Sequence, residues 1–367
     1  MAFEIVTLST AGLTLRPVTI AIEIAMDEAA RSFEAKVKQP GMSQRDLLVA
    51  LRGSPSVTIR TRASDGVRLE DGDGGDLVLT GHVEKRAAAL RAAENDVAIS
   101  GRSKTGDLVD SSAEDETGEF RGQKAPQILG KLAKDYGITV ESDLAHATQA
   151  LVRLRPGETI FTFAERLSRK EGFAIGDTPE GNLKLARAGT KRHAGALTEG
   201  DEILDASAVH DDSKRAGTVK VRAQAPSGYG ADALEIEAEA RDEGVSRKRV
   251  RVIVPPETVL NDEARKRAQW HRDRAAGEGT TCEISVAGWR DAAGTLWTPG
   301  LLVFVECPSL DIVQDMLVKK VRLSQTDTEE GTRAQLSLVD PRAFGGKKPK
   351  GAKGSDYIGK AGGDDAE

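Results

Sequence analysis

The stretch from Cys282 to Phe344 holds strands of period-two alternation joined by marked turns, and no other stretch narrows the fold as far. Cys282, Ile284 and Val286 fall on one strand face, as do Leu301, Val303 and Val305. Between these runs Gly288, Gly294, Pro299 and Gly300 mark turns, and Trp289 and Trp297 bracket the loop. A second hairpin runs from Met316-Leu-Val-Lys-Lys-Val to Ala334-Gln-Leu-Ser-Leu-Val. The spacing predicts a β-meander with a tryptophan-flanked loop, whose rings either pack over a barrel end or serve as interface anchors.

The first third carries the same signature. Val18, Ile20, Ile22 and Ile24 alternate, and Phe33, Ala35 and Val37 continue the pattern. Short strands at Val57-Thr-Ile-Arg and Leu77-Val-Leu-Thr are joined through Asp71-Gly-Asp-Gly-Gly-Asp. That stretch lacks the twelfth-position carboxylate of an EF-hand loop and reads as a hairpin tip. From Gly118 the period lengthens to between three and four. Ile128, Leu129, Leu132, Ala133 and Tyr136 form one stripe behind Pro126, with Gly137 as a stop. A second helix is expected from about Thr159 to Lys170, then two strands at Phe173-Ala-Ile and Leu183-Lys-Leu-Ala. Strands return at Thr218-Val-Lys-Val-Arg and at Val250, Val252 and Val254, followed by a thinly striped helix capped by Asn261. The hairpin from Leu77 to Gly101 resembles the one from Met316 to Val339 in length and pattern, which suggests two β-domains built alike.

The expected division is therefore a first β-barrel domain over 1–117, a small α/β module over 118–190 and a second β-barrel domain over 191–344. The last carries a surface helix near 260–276, and a flexible tail spans 345–367. With 4% aromatic residues and 38 glycines, the composition suits several small β-domains better than one aromatic-rich core. The tail cannot bury enough surface to offset its ordering entropy, so Tyr357 and Ile358, its adjacent apolar anchors, are interface candidates.

Chemistry is thinly represented. The 52 basic and 58 acidic side chains leave a net charge of −6, with no excess to neutralise a duplex. Specific nucleic-acid binding is therefore not expected. His82, His146, His193, His210 and His271 are scattered without metal-ligand spacing, and Cys282 and Cys307 read as buried hydrophobes. Gly101-Arg-Ser-Lys-Thr-Gly lacks Walker spacing, and no Gly-x-Ser-x-Gly elbow occurs. The expectation is no catalytic residue, no cofactor and no metal. No signal peptide and no apolar run of membrane-spanning length is found, so folding in the cytoplasm without membrane insertion is expected.

Three segments resemble the baseplate hub proteins of contractile phage tails, of Mu and T4 type. They are Val97-Ala-Ile-Ser-Gly-Arg-Ser-Lys-Thr-Gly-Asp-Leu-Val-Asp, the helix segment Arg155-Pro-Gly-Glu-Thr-Ile-Phe-Thr-Phe-Ala-Glu-Arg-Leu, and the stretch holding Gly-Trp, Leu-Trp-Thr-Pro-Gly and Pro341-Arg-Ala-Phe. Their order along the chain is the family's order. The resemblance implies a β-rich α+β fold with two tail-tube-like β-barrel domains and smaller α/β modules. It implies a homotrimeric ring joining the six-fold tail tube protein to a separate central spike protein, with a channel for tape measure protein and DNA. Baseplate wedge or sheath-initiator proteins would be neighbours, in a virion tail assembled in the host cytoplasm. A baseplate peptidoglycan hydrolase and a late-control-type hub of another tail lineage are the rival readings.

Overall fold

The computed structural model describes residues 3–64, 74–89, 97–224, 236–255, 261–327 and 331–345. The tip at Asp71 and the anchors Tyr357 and Ile358 lie outside the described residues.

Six antiparallel strands build the first unit: β1 (Phe3–Thr10), β2 (Leu13–Ala25), β3 (Ser32–Lys38), β4 (Ser56–Ser64), β5 (Asp76–Ala88) and β6 (Val97–Ser103). Their order is β1-β4-β5-β6-β3-β2, and β2 returns to β1 through Leu8↔Leu15 and Thr10↔Leu13, which closes a barrel. The β1–β2 hairpin turns on Ala11 and Gly12 at φ 50 and 74, the paired left-handed residues whose twist matches the strands. Alternation sends Leu8, Leu15, Ile20, Ile22, Phe33, Val37, Ile59 and Leu79 inward. A short helix, α1 (Gln44–Ala50), is capped by Ser43 accepting from Asp46 N at 3.1 Å, and Leu47 and Leu51 plug the barrel. Strands β5 and β6 approach so closely that a Cβ on Gly81 would sit 1.9 Å from Arg102 O, and one on Gly101 1.9 Å from His82 O. Only glycine fits either position.

A small module follows, from α2 (Gly106–Asp110) through β7 (Glu119–Phe120), β8 (Gln123–Lys124), α3 (Ala125–Ala133), β9 (Val140–Ser142), β10 (Thr148–Gln149), β11 (Val152–Arg153), α4 (Ile160–Glu171) and β12 (Ala174–Asp177) to β13 (Leu183–Ala186). Its sheet runs β12-β13-β9. Both expected helices form. The first ends in a 3-10 turn at Gly137 (φ 65); the second is capped by Thr159 and stopped by Gly172 (φ 75). Their stripes meet over Phe120, Ile128, Leu129, Phe163 and Leu167 in a core separate from the barrel's.

The chain then enters a second β unit with β14 (Arg192–Thr198) and β15 (Ile203–His210). An excursion follows: β16 (Thr218–Ala223), β17 (Ile236–Arg241), β18 (Val250–Ile253) and α5 (Asn261–Glu278). The small sheet is ordered β17-β16-β18, and Ala264 and Ala268 of α5 pack on Val221, Ile236 and Ala240. Thin as it is, the alanine stripe is the buried face of that helix. The unit is completed by β19 (Thr280–Ala287), β20 (Leu302–Cys307), β21 (Ile312–Gln325) and β22 (Thr332–Val339), in the order β14-β20-β21-β22-β19-β15. It also has six strands. Unlike the first, it shows no β14–β15 ladder among the described residues, so it is open between those two strands. Cys282 and Cys307 are free and buried in its core, and burial pushes the Cys282 thiol up to about 12.

Burial, reinforced by Arg251, Arg267 and Arg274, pushes His271 on α5 down to about 4. Its folded pKa lies below its unfolded one, so the unfolded chain takes up the proton first as pH falls. Stability that is full above about 6.5 should drain away between there and about 4. The check is urea unfolding at pH 7.5 and 5.0 for wild type and His271→Gln. The variant should lose less stability on acidification, and equal losses would refute the assignment.

Candidate functional site: the junction of the two β units

Two long strands hold the units together by dividing one edge each. The start of β2 pairs β1, while Ile20–Ala25 pairs Gln325–Lys320 of β21. Reciprocally, Ile312–Leu317 of β21 pairs β20, and the remainder of that edge meets β2. One sheet therefore runs through both units, and their apolar residues form one contiguous core. Around this junction the counterparts of β21–β22 are β2–β3. The hairpin likeness seen in the sequence instead matched β5–β6 to β21–β22, because the two have similar alternation and length.

The outward face of the junction is charged. Glu23 meets Lys320 at 2.8 Å and also pairs with Arg322; these cations, Lys320 foremost, hold its carboxyl below the ordinary range. Asp27 pairs with Lys319 at 3.1 Å. Nearby on β6, Arg102 bridges Glu84 and Asp110. Exposed pairs like these contribute little energy individually, but they fix register.

The tryptophan-flanked loop is a clamp. Trp289 is fully buried and donates from Nε1 to Ser324 O at 3.0 Å; Trp297 is 4% exposed, its ring centroid 4.6 Å from that of His193. Within the single chain both are core residues. Arg290 between them reaches the first unit. It grips Glu4 in a bidentate pair at 2.7 and 3.2 Å and meets Asp76 at 2.6 Å, while Thr61 also donates to Glu4. Asp291 receives the N–H groups of Ala194, Ala293 and Thr295 and the Nδ1–H of His193, whose Nε2 accepts from Thr298 N. Burial works to raise the Asp291 carboxyl, but these donors outweigh it and hold it below the ordinary range.

A second clamp ties the module to the barrel. Arg31, between β2 and β3, donates Nε to Asp177 Oδ1 at 2.9 Å and Nη2 to Asp177 O at 3.1 Å. Its Nη1 reaches Val78 O at 2.7 Å, and its backbone N–H also meets Asp177. The two side chains are 7% and 2% exposed, so the pair is buried and multiply hydrogen-bonded. Beside it opens a cleft of about 600 Å³, walled by both units and the module.

Histidine 146, one of the scattered histidines, joins a polar chain inside the module. Ser142 Oγ lies 2.7 Å from His146 Nε2, and His146 Nδ1 lies 2.8 Å from Glu171 Oε2. The order is that of an acyl-transfer triad. The same hydroxyl, however, accepts from Leu144 N at 3.2 Å and donates to Leu185 O at 3.1 Å. Its proton and lone pairs are spent on binding the loop to β13, which makes the chain a brace. Ser142 and His146 are only four residues apart, but Glu171 lies 25 residues further on at the end of α4, so no short motif signals the chain. Among the described residues no group of three or more His, Cys, Asp or Glu is placed to hold a metal ion. No described helix is long and apolar enough to cross a membrane.

Comparison with solved structures defines the class of fold. The 43 kDa tail protein of prophage MuSo2 from Shewanella oneidensis superposes with a TM-score of 0.78 at 24% identity, covering 94% of this chain and 100% of that one. A tail protein from Neisseria meningitidis gives 0.71 at 20% identity, covering 92% and 96%. The architecture is thus that of phage tail proteins. Within it, two family models match: "Baseplate hub protein gp44-like, second domain" over residues 105–187, and "Mu phage baseplate assembly protein GpP, fourth domain" over 260–347. The baseplate hub protein gp44 of Escherichia phage Mu is 29% identical over 283 residues, 74% of each chain. Two segments of the chain thus match domains of Mu-type baseplate hub proteins, and over about three quarters of its length the chain is similar to a baseplate hub protein of a Mu-like tail.

Proposed function

We propose that the chain assembles into a closed homotrimeric ring that joins the six-fold tail tube to the central spike. The ring leaves a channel for the tape measure protein and later DNA, and it contacts wedge or sheath-initiator proteins on its outside. One observation carries this reading. A closed six-stranded barrel and a second six-stranded unit are fused edge to edge through β2 and β21. Three chains would then present six similar units to a six-fold tube, and the clamps at Arg290 and Arg31 suit a part that holds its shape under load.

On this reading, the two β units are the tube-facing domains and the module from α2 to β13 lies outside them. The role is mechanical, with no bond made or broken. Tyr357 and Ile358 anchor the C-terminal segment on the spike or on the adjacent subunit. The test is mass and symmetry. Three chains of 39.1 kDa should sediment at about 117 kDa and average with three-fold symmetry by negative stain. A monomer at micromolar concentration, with and without the spike, would defeat the proposal.

A further inference from the structure

Among the strands with an open edge, two carry exposed large apolar side chains. Among the described residues β15 pairs only with β19, and β18 only with β16. Leu204 and Val209 on β15 are 53% and 59% exposed. Along β18, Val250 and Val252 are 49% and 47% exposed, and Val254 just beyond it 72%. In register Val250 stands beside Thr218 and Val252 beside Lys220. The alternate residue Ile253 faces the α5 side with Val221. The valines therefore sit on the sheet face that α5 leaves bare. Open edges are ordinarily blunted with charge, proline or a covering element, because they template pairing with another chain. Here they carry exposed apolar residues among their charges.

The charges around the two edges are opposite. Asp201, Asp205 and Asp211 are exposed along and beside β15, and Arg247, Lys248 and Arg251 along and beside β18. Each edge thus has the shape, apolar content and charge to receive the other.

We propose that the β15 edge of one copy docks on the β18 edge of a second copy, a heterologous contact that repeats around the ring. The proposal rests on the trimer reading and specifies its interface. Strand pairing satisfies the open backbone groups, the valines bury against Leu204 and Val209, and the charge pattern steers approach and excludes like edges.

Cross-linking tests it directly, since Cys282 and Cys307 are buried and do not compete. Val209→Cys and Val252→Cys are prepared separately, mixed, and treated with copper-phenanthroline or a short bis-maleimide. The expected product is a cross-linked dimer in the mixture alone. The double variant should give cross-linked species up to three chains and no further. Charge reversal by Lys248→Glu should weaken assembly at least about tenfold, and Asp205→Lys in the same chain should restore it.

A wild-type trimer with no mixed product would overturn this interface and leave the trimer standing. A product from either single variant alone would replace it with a like-to-like contact. A cross-link within one chain of the double variant would show that the edges meet in the monomer, and would overturn it too. Wild-type monomers throughout would bring down both readings.

Discussion

Asp177→Ala is expected to lower the unfolding free energy by about 3–5 kcal/mol, because it strands a guanidinium in a buried site. Arg31 directs its Nε and backbone N–H at that carboxylate and has almost no solvent to turn to. Against a total of roughly 5–15 kcal/mol for a domain, a loss of this size is readily measured. Deleting both charges should cost less than deleting one: Arg31→Met with Asp177→Leu removes the stranded cation along with its partner. Equilibrium urea unfolding followed by circular dichroism reads both variants. Hydrogen exchange should also rise first in residues 118–186, since the clamp ties the module to the barrel. A cost below about 1 kcal/mol for Asp177→Ala would mean that water reaches the pair and that the clamp is not what fixes the module.

Trp289→Ala is expected to cost a further independent 3–5 kcal/mol, the range for emptying a fully buried large aromatic site. The ring is wholly enclosed, and its N–H is committed to Ser324 O on β21. The void would open beside Arg290, so the grip on Glu4 should loosen and the two β units should move relative to each other. Trp289→Phe keeps most of the packing and should recover more than half the loss. Thermal and urea unfolding of both variants provide the check. If Trp289→Ala leaves the transition within about 1 kcal/mol of wild type, the loop is not the clamp described here.

What the sequence revealed was whatever repeats locally. The alternation in β2, β3, β21 and β22, and the striped helices stopped at Gly137 and Gly172, stand where periodicity and turn chemistry put them. Strands β14 and β15 were not legible, for a physical reason. Arg-His-Ala-Gly-Ala-Leu-Thr buries His193 where an apolar residue would be expected, and β15 exposes Leu204 and Val209 while turning small alanines inward. The tryptophans were visible but ambiguous, since an aromatic beside a turn suits a core and an interface equally. The clamps were beyond reach. Arg290 and Glu4 lie 286 positions apart, and Arg31 and Asp177 lie 146 apart, so no window along the chain contains either pair.

The shared edge of β2 also sets a timetable for synthesis. All six strands of the first barrel have left the ribosome once Ser103 emerges, and most of their pairing can form at once. Half of one edge, Ile20 to Ala25, must wait for β21, whose Arg322 lies 299 positions beyond its partner Glu23. For most of translation the nascent chain therefore holds a nearly finished barrel with a gap of six residues in its hydrogen-bonded rim. Pairings this distant in sequence are the slow ones, and an unfilled edge accepts whichever matching strand arrives first. On a crowded polysome that strand can come from the neighbouring chain. The feature that makes the finished part rigid thus also makes its maturation sensitive to how closely its copies are made.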